Sequence, residues 1–254
     1  MRTKTISLLA LLLLAVSACT QVKVSVHQPA SSSGLTGTNC KLQRELRNQK
    51  QETDFWCWAA SAHTVIEYLK SERIDQWTLV DAVVRGELDE AWKTTETQRK
   101  ENGNVLGLDC RMATAEFGKI DHPNVRIARR ICWTNRWPEN VFNTEKFSLY
   151  AEPYVYAWTG TDPQGLSWDQ IVAEICADRQ MISAIYFAPE LGGGAHTVVI
   201  GGYNELEDGS QWVHVYDPGF NTLEEDYYFW PYDVYLGDPG VFTHVRDYTN
   251  IYLR

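Results

Sequence analysis

Gln51-Glu52-Thr53-Asp54-Phe55-Trp56-Cys57-Trp58-Ala59-Ala60-Ser61 is the stretch on which the fold turns. After Cys57 the residues Ala59, Ala60, Ala62, Val65, Ile66 and Leu69 recur at helical spacing. A helix is therefore expected over residues 56–71, with Thr53 or Asp54 as its cap. That places a cysteine in the first turn of a helix. First-turn N–H groups lack intrahelical partners and carry the positive end of the helix dipole, so they favour thiolate over thiol. The same donors suit a developing oxyanion. Gln51, six residues upstream, adds a side-chain amide that can return over the sulfur. A cysteine on an apolar helix is also the usual form of a buried structural thiol, so Cys57 needs partners before it means chemistry.

Two later segments offer them. Gly192-Gly193-Gly194-Ala195-His196-Thr197-Val198-Val199-Ile200-Gly201-Gly202-Tyr203 opens an apolar strand with a histidine just past a glycine turn. An imidazole at a strand end can face a cleft. Trp212-Val213-His214-Val215-Tyr216-Asp217-Pro218-Gly219 ends the next strand on a carboxylate, ahead of a Pro-Gly turn. If the two strands form a hairpin, Asp217 lies beside His196, where it fixes the tautomer and direction of the ring. Taken singly, His196 is surface decoration and Asp217 an ordinary turn opener. The other histidines have weaker settings. His63 shares the helix of Cys57 but points to another face, His214 is mid-strand and packs or meets solvent, His27 falls in a polar linker, and His122 precedes a proline.

Taken together, in the order Gln, Cys, His, Asp, the segments resemble the papain-like cysteine peptidase superfamily. The nearer likeness is to its bacterial AvrRpt2-type branch, close to the C39-like peptidases, over about residues 43–219. The likeness rests on Trp56-Cys57-Trp58-Ala59-Ala60-Ser61, on His196-Thr197-Val198-Val199-Ile200-Gly201-Gly202-Tyr203 and on Asp217-Pro218. It implies Cys57 as nucleophile, His196 as general base and later acid, Asp217 as the orienting residue and Gln51 as part of the oxyanion hole. Gln49 is a second candidate for that hole, at a poorer spacing. Asp217 stands where papains carry asparagine. The resemblance implies no cofactor, and a peptide or protein as substrate. Three rivals share parts of the pattern: an amidase acting on peptidoglycan, an acyltransferase of the transglutaminase kind, and a catalytically silent binding lipoprotein.

Outward from these motifs the chain reads as one α+β domain over residues 40–254, helices first and an antiparallel sheet after. A second helix is expected over 74–92, a loop over 93–107, and a helix at about 168–178 behind the capping box Ser167-Trp168-Asp169-Gln170. Strands are expected at 181–188, 196–201 and 211–216. Residues 108–150 fit no single period. With 10 Trp and 13 Tyr, a carbohydrate-binding face is one use of the aromatics, and core and cleft packing the favoured one.

The chain opens on a targeting segment, residues 1–18. Arg2 and Lys4 precede an apolar run from Leu8 to Val16, too short to span a bilayer. Val16-Ser17-Ala18-Cys19 resembles a bacterial lipobox, which implies cleavage before Cys19 and its acylation. Thr20, rather than Asp, then suggests the outer membrane of a Gram-negative cell. Residues 19–39 are polar and small and read as a tether. The net charge is −10, and two units more negative once Arg2 and Lys4 are removed, which argues against nucleic acid as a partner. Membrane contact is expected through the lipid alone. With Cys19 lipidated and Cys57 reduced, Cys40, Cys110, Cys132 and Cys176 remain, an even number that suits an oxidising compartment. They allow three pairings, of which Cys110–Cys132 closes a short loop and is preferred. No CxxC or HExxH spacing suggests a metal site.

Overall fold

The computed structural model describes residues 40–52, 56–84, 136–142, 147, 149–156, 164–219, 227–238 and 240–254. The targeting segment, the tether, the expected loop at 93–107, and Cys19, His27, Cys110, His122 and Cys132 lie outside these residues.

Helix α1 spans Cys57–Lys70. Ala59, Ala62, Val65 and Ile66 are fully buried, and so are Trp56 and Trp58, so the helix is enclosed on nearly all sides. Its start differs from expectation. Trp56 holds the N-cap position and its side chain makes no capping bond, while Thr53 and Asp54, the expected caps, lie outside the described residues. At the other end Ser71 adopts the left-handed conformation and its N–H returns to Glu67. Helix α2, Gln76–Val84, begins behind Asp75, whose carboxylate accepts from the Thr78 N–H at 2.8 Å. Its expected continuation to residue 92 falls outside the described residues. A short α3, Pro138–Phe142, falls in the region that showed no clear period, and strand β1, Leu149–Val155, begins at its end.

Helix α4, Trp168–Cys176, carries the expected capping box: Ser167 Oγ accepts from Gln170 N and Gln170 Oε1 accepts from Ser167 N. Strands β2 (Met181–Phe187), β3 (Ala195–Glu205) and β4 (Gln211–Tyr216) match the three expected strands, β3 running four residues longer at its end than foreseen. The chain closes with β5 (Tyr228–Pro231), α5 (Tyr232–Tyr235) and β6 (Phe242–Leu253). The six strands form one antiparallel sheet in the order β1-β6-β2-β3-β4-β5. The fold is therefore α+β, helices packed on a sheet.

Both faces of the sheet are buried, because successive strand residues point to opposite sides. Ile182, Val199, Tyr248 and Ile251 pack with α1, α2 and α3 in one cluster. Met181, Ile185, Val198, Ile200, Val213 and Val215 pack with Ile171 and Ile175 of α4 and Tyr235 of α5 in another. Burying each such side chain contributes roughly 1.5–3 kcal/mol. Ser61 Oγ of α1, buried inside this frame, donates to the Thr197 carbonyl of β3 at 3.0 Å, fixing helix against strand beside His196.

Residues 40–52 form no helix or strand and cross the sheet as a strap. A disulfide from Cys40 to Cys176 ties the strap to the end of α4, across 136 residues of sequence. Closing so long a loop restricts the unfolded chain and is worth about 2–5 kcal/mol. The Tyr203 hydroxyl sits at this junction and accepts from Cys40 N at 3.1 Å.

Candidate active site

The start of α1, the start of β3 and the end of β4 meet. Gly192, Gly193 and Gly194 all have positive φ (97°, 64° and 103°), so the turn before β3 needs glycine, and it delivers His196 one residue into the strand. The β3–β4 hairpin pairs Val199 with Tyr216, so Asp217, one residue past β4, comes up beside Val198 and within reach of His196 on the same strand. His196 Nε2 and Asp217 Oδ1 are 2.7 Å apart. The pair is buried, with 6% and 15% of the two side chains exposed. Phe187 stacks on the imidazole, centroid to centroid 5.9 Å, and holds the ring plane.

Asp217 is the best-bonded carboxylate of the site. Beyond His196, Oδ1 accepts from Gly219 N at 2.7 Å and Oδ2 accepts from the Tyr228 hydroxyl at 3.0 Å. Burial would raise its pKa, but the charge and hydrogen bond of His196, with the Gly219 and Tyr228 donors, outweigh that and lower it. Burial likewise works against protonation of His196. The Asp217 carboxylate, then the hydrogen bond and charge of Cys57, overcome it and lift the imidazole from 6.5 to about 10. Tyr228 is pushed well above 10 by burial and by the adjacent Asp217 charge, so it stays a donor.

Cys57 is outside any disulfide and 1% exposed. Burial alone would fit an inert structural thiol. What separates it from one is its neighbour. His196 Nε2 is committed to Asp217, and Nδ1 is buried without a partner among the described nitrogens and oxygens. Cys57 interacts with this same ring.

Gln51 joins the group from the strap. Its N–H donates to the Pro218 carbonyl at 3.0 Å, and Asn48 Nδ2 donates to the Asp217 carbonyl at 2.8 Å. Gly219 marks where the groups converge. A Cβ there would stand 3.3 Å from Asp217 Oδ1, 3.4 Å from His196 Cε1 and 3.6 Å from Gln51 Oε1. Gln49, the other candidate amide, is used elsewhere: its N–H donates to Thr64 Oγ1 and its Nε2 to Glu67 Oε2, both on α1.

The four residues singled out from sequence, Gln51, Cys57, His196 and Asp217, are thus brought together. The remaining described histidines are not part of the group. His63 is buried against Glu67, 3.6 Å away, and burial followed by the Arg73 charge lowers it to about 4. His214 stacks on Tyr227 and lines a separate cavity of about 380 Å³ with Tyr216 and Phe229. Burial, then Lys41, lowers it to about 4. His244 is enclosed with Asp247, 3.2 Å away, in a pair with no exposed surface.

Sequence reading missed Tyr228, Asn48, Phe187 and Gly219 as supports of the site. Only Gly219 had a local signal, its place in the Asp-Pro-Gly turn. The preferred pair Cys110–Cys132 lies outside the described residues, and the bond that is described, Cys40–Cys176, was one of several left open.

Among known proteins, the sequence model of the Peptidase_C39 like family matches residues 42–235, well over half of the chain. No curated protein matches it significantly. The matched span holds all four converging residues and ends with α5, short of β6.

Proposed function

The chain belongs to the Peptidase_C39 like family, and with it to the papain-like cysteine peptidases, and on that premise we propose that it cleaves peptide bonds with Cys57 as nucleophile, His196 as base and acid, Asp217 as orienting residue and Gln51 as oxyanion donor. The observation that carries this reading is the buried His196–Asp217 pair, with Nδ1 left for Cys57. The Cys57 thiolate attacks the scissile carbonyl. The Gln51 amide and the N-terminal end of α1 stabilise the oxyanion. His196 gives the proton on Nδ1 to the leaving amine, and a thioester to Cys57 remains. The neutral imidazole then takes a proton from water as that water attacks, and release of the acid restores the thiolate–imidazolium pair. The substrate is a peptide or protein.

Alkylation of Cys57 by iodoacetamide, mapped by mass spectrometry across pH, tests the ion pair. His196 is protonated up to about pH 10. The expected result is fast alkylation that persists well below pH 8.5, the ordinary thiol value, with hydrolysis declining only as pH rises towards 10. A Cys57 that is inert at pH 6 and quickens only above pH 8 sinks the proposal. Stability carries the same signs. The His196 contribution is fully present below 6.5 and is lost as pH rises through about 10, and that of Asp217 is present above 3.8 and lost as pH falls through its lowered value.

The exported, lipid-anchored state is proposed as well. Its support is Val16-Ser17-Ala18-Cys19 together with the Cys40–Cys176 disulfide, a bond that persists in oxidising compartments. Mass analysis of the detergent-extracted mature chain is expected to show residue 19 as its N-terminus, carrying acyl chains. A mature chain starting elsewhere, or an unmodified Cys19, contradicts the anchor.

A further inference from the structure

Gln76 is the first residue of α2 and is only 2% exposed. A long amide at that depth needs both its ends bonded. Both are, and to the residues on either side of Gln51. Gln76 Nε2 donates to the Lys50 carbonyl, and Gln76 Oε1 accepts from Glu52 N at 3.0 Å. One side chain thus grips the peptide units before and after Gln51, as a neighbouring strand would.

The strap needs such a grip. Residues 40–52 have no helix or strand, so no backbone ladder sets where Gln51 stands. Its opposite side is held by the turn that carries the orienting carboxylate, through Gln51 N to the Pro218 carbonyl and Asn48 Nδ2 to the Asp217 carbonyl. Gln51 is therefore suspended between α2 and the β4–β5 turn. Taking Gln51 as an oxyanion donor, as above, we propose that Gln76 is the positioning residue that sets the donor's distance from the oxyanion. Such donors act only within about 2.7–3.1 Å of the oxygen, and a misplacement of about 1 Å costs roughly 100-fold.

Two small reagents separate this role from general support of the fold, without a known substrate. In acylation by p-nitrophenyl acetate, the Cys57 sulfur bonds the acetyl carbon, p-nitrophenolate leaves, and the path crosses a tetrahedral oxyanion. In alkylation by iodoacetamide, the sulfur bonds the methylene carbon, iodide leaves, and no oxyanion forms. The readout is the ratio of the two rates for the disulfide-bonded chain. Gln76→Ala is expected to lower the ratio about 10-fold or more, with alkylation unchanged. Gln76→Glu keeps the acceptor for Glu52 N but turns an oxygen towards the Lys50 carbonyl, and is expected to lower it too. Gln51→Ala is expected to lower it at least as far, and the Gln51→Ala, Gln76→Ala double variant no further than Gln51→Ala alone. An unchanged ratio in both Gln76 variants, losses that multiply in the double variant, or alkylation that slows in step with acylation each overturn the positioning role. An unchanged ratio in Gln51→Ala overturns the donor role of Gln51 itself, and this inference with it.

Discussion

His196→Ala is expected to abolish hydrolysis of an unstructured protein such as casein, by at least about 10⁴-fold, with the fold retained. Two losses combine. The leaving amine has no acid to protonate it, and Cys57 has no cation to hold it as thiolate. The variant also leaves the buried Asp217 carboxylate uncompensated in the same site, with Gly219 N and the Tyr228 hydroxyl as its remaining donors among the described residues. A nearby negative charge disfavours thiolate, so Cys57 is expected to react as a thiol of ordinary or raised pKa. Alkylation at pH 6 should therefore fall by about 10–100-fold relative to the unaltered protein, and the deficit should shrink as pH rises past 9. Equal alkylation rates at pH 6 would show that His196 does not activate Cys57. Removing one partner of a buried ion pair also costs about 3–5 kcal/mol of stability, which thermal unfolding would register as a lower Tm.

Asp217→Ala is the second large effect, and its contrast with Asp217→Asn carries the information. Alanine removes the acceptor for three donors at once: His196 Nε2, Gly219 N and the Tyr228 hydroxyl. The imidazole loses its direction, and without the carboxylate the desolvation that pulls its pKa down is opposed by Cys57 alone. The expected outcome is a loss in kcat/KM of about 10²–10⁴-fold, with a destabilisation of about 3–5 kcal/mol. Asparagine keeps an oxygen for His196 and Gly219, and its amide can donate to the Tyr228 oxygen. Papains carry asparagine at this position, and Asp217→Asn is expected to keep activity within about 10-fold. Its alkaline limb should still move down from about 10, because the charge that raises His196 is gone. An alkaline limb unmoved in Asp217→Asn would mean that Asp217 orients the ring without setting its protonation. A loss in asparagine as large as in alanine would mean that the charge is what matters.

Both predictions depend on burial as much as on contact. An exposed His–Asp pair would be screened and contribute little. Here the pair is buried and Phe187 stacks on the imidazole, so each interaction acts in a poorly solvated space and each partner left alone costs more. Gly219 lies inside the same enclosure: a side chain there would stand among Asp217, His196 and Gln51.

By itself the sequence determined the features whose physics is local. The helix starting at Cys57, the Ser167–Gln170 capping box, and the strands of His196 and Asp217 follow from spacing and turn chemistry within a few residues. A hairpin joins neighbouring strands, so it also predicted that His196 and Asp217 would meet. Only the tertiary structure decided what depends on distant segments. It put β6 between β1 and β2, joined Cys40 to Cys176 across 136 residues, and committed Gln49 to α1 while Gln51 faced the site. It also set Trp56 at the N-cap of α1 and brought Tyr228, Asn48 and Gln76 to the residues they hold. These choices are made by loop closure and by the competition of buried donors and acceptors for partners. Neither leaves a periodic mark in the sequence, which is why the candidate site residues could be named before the fold was known and the residues that pack and bond around them could not.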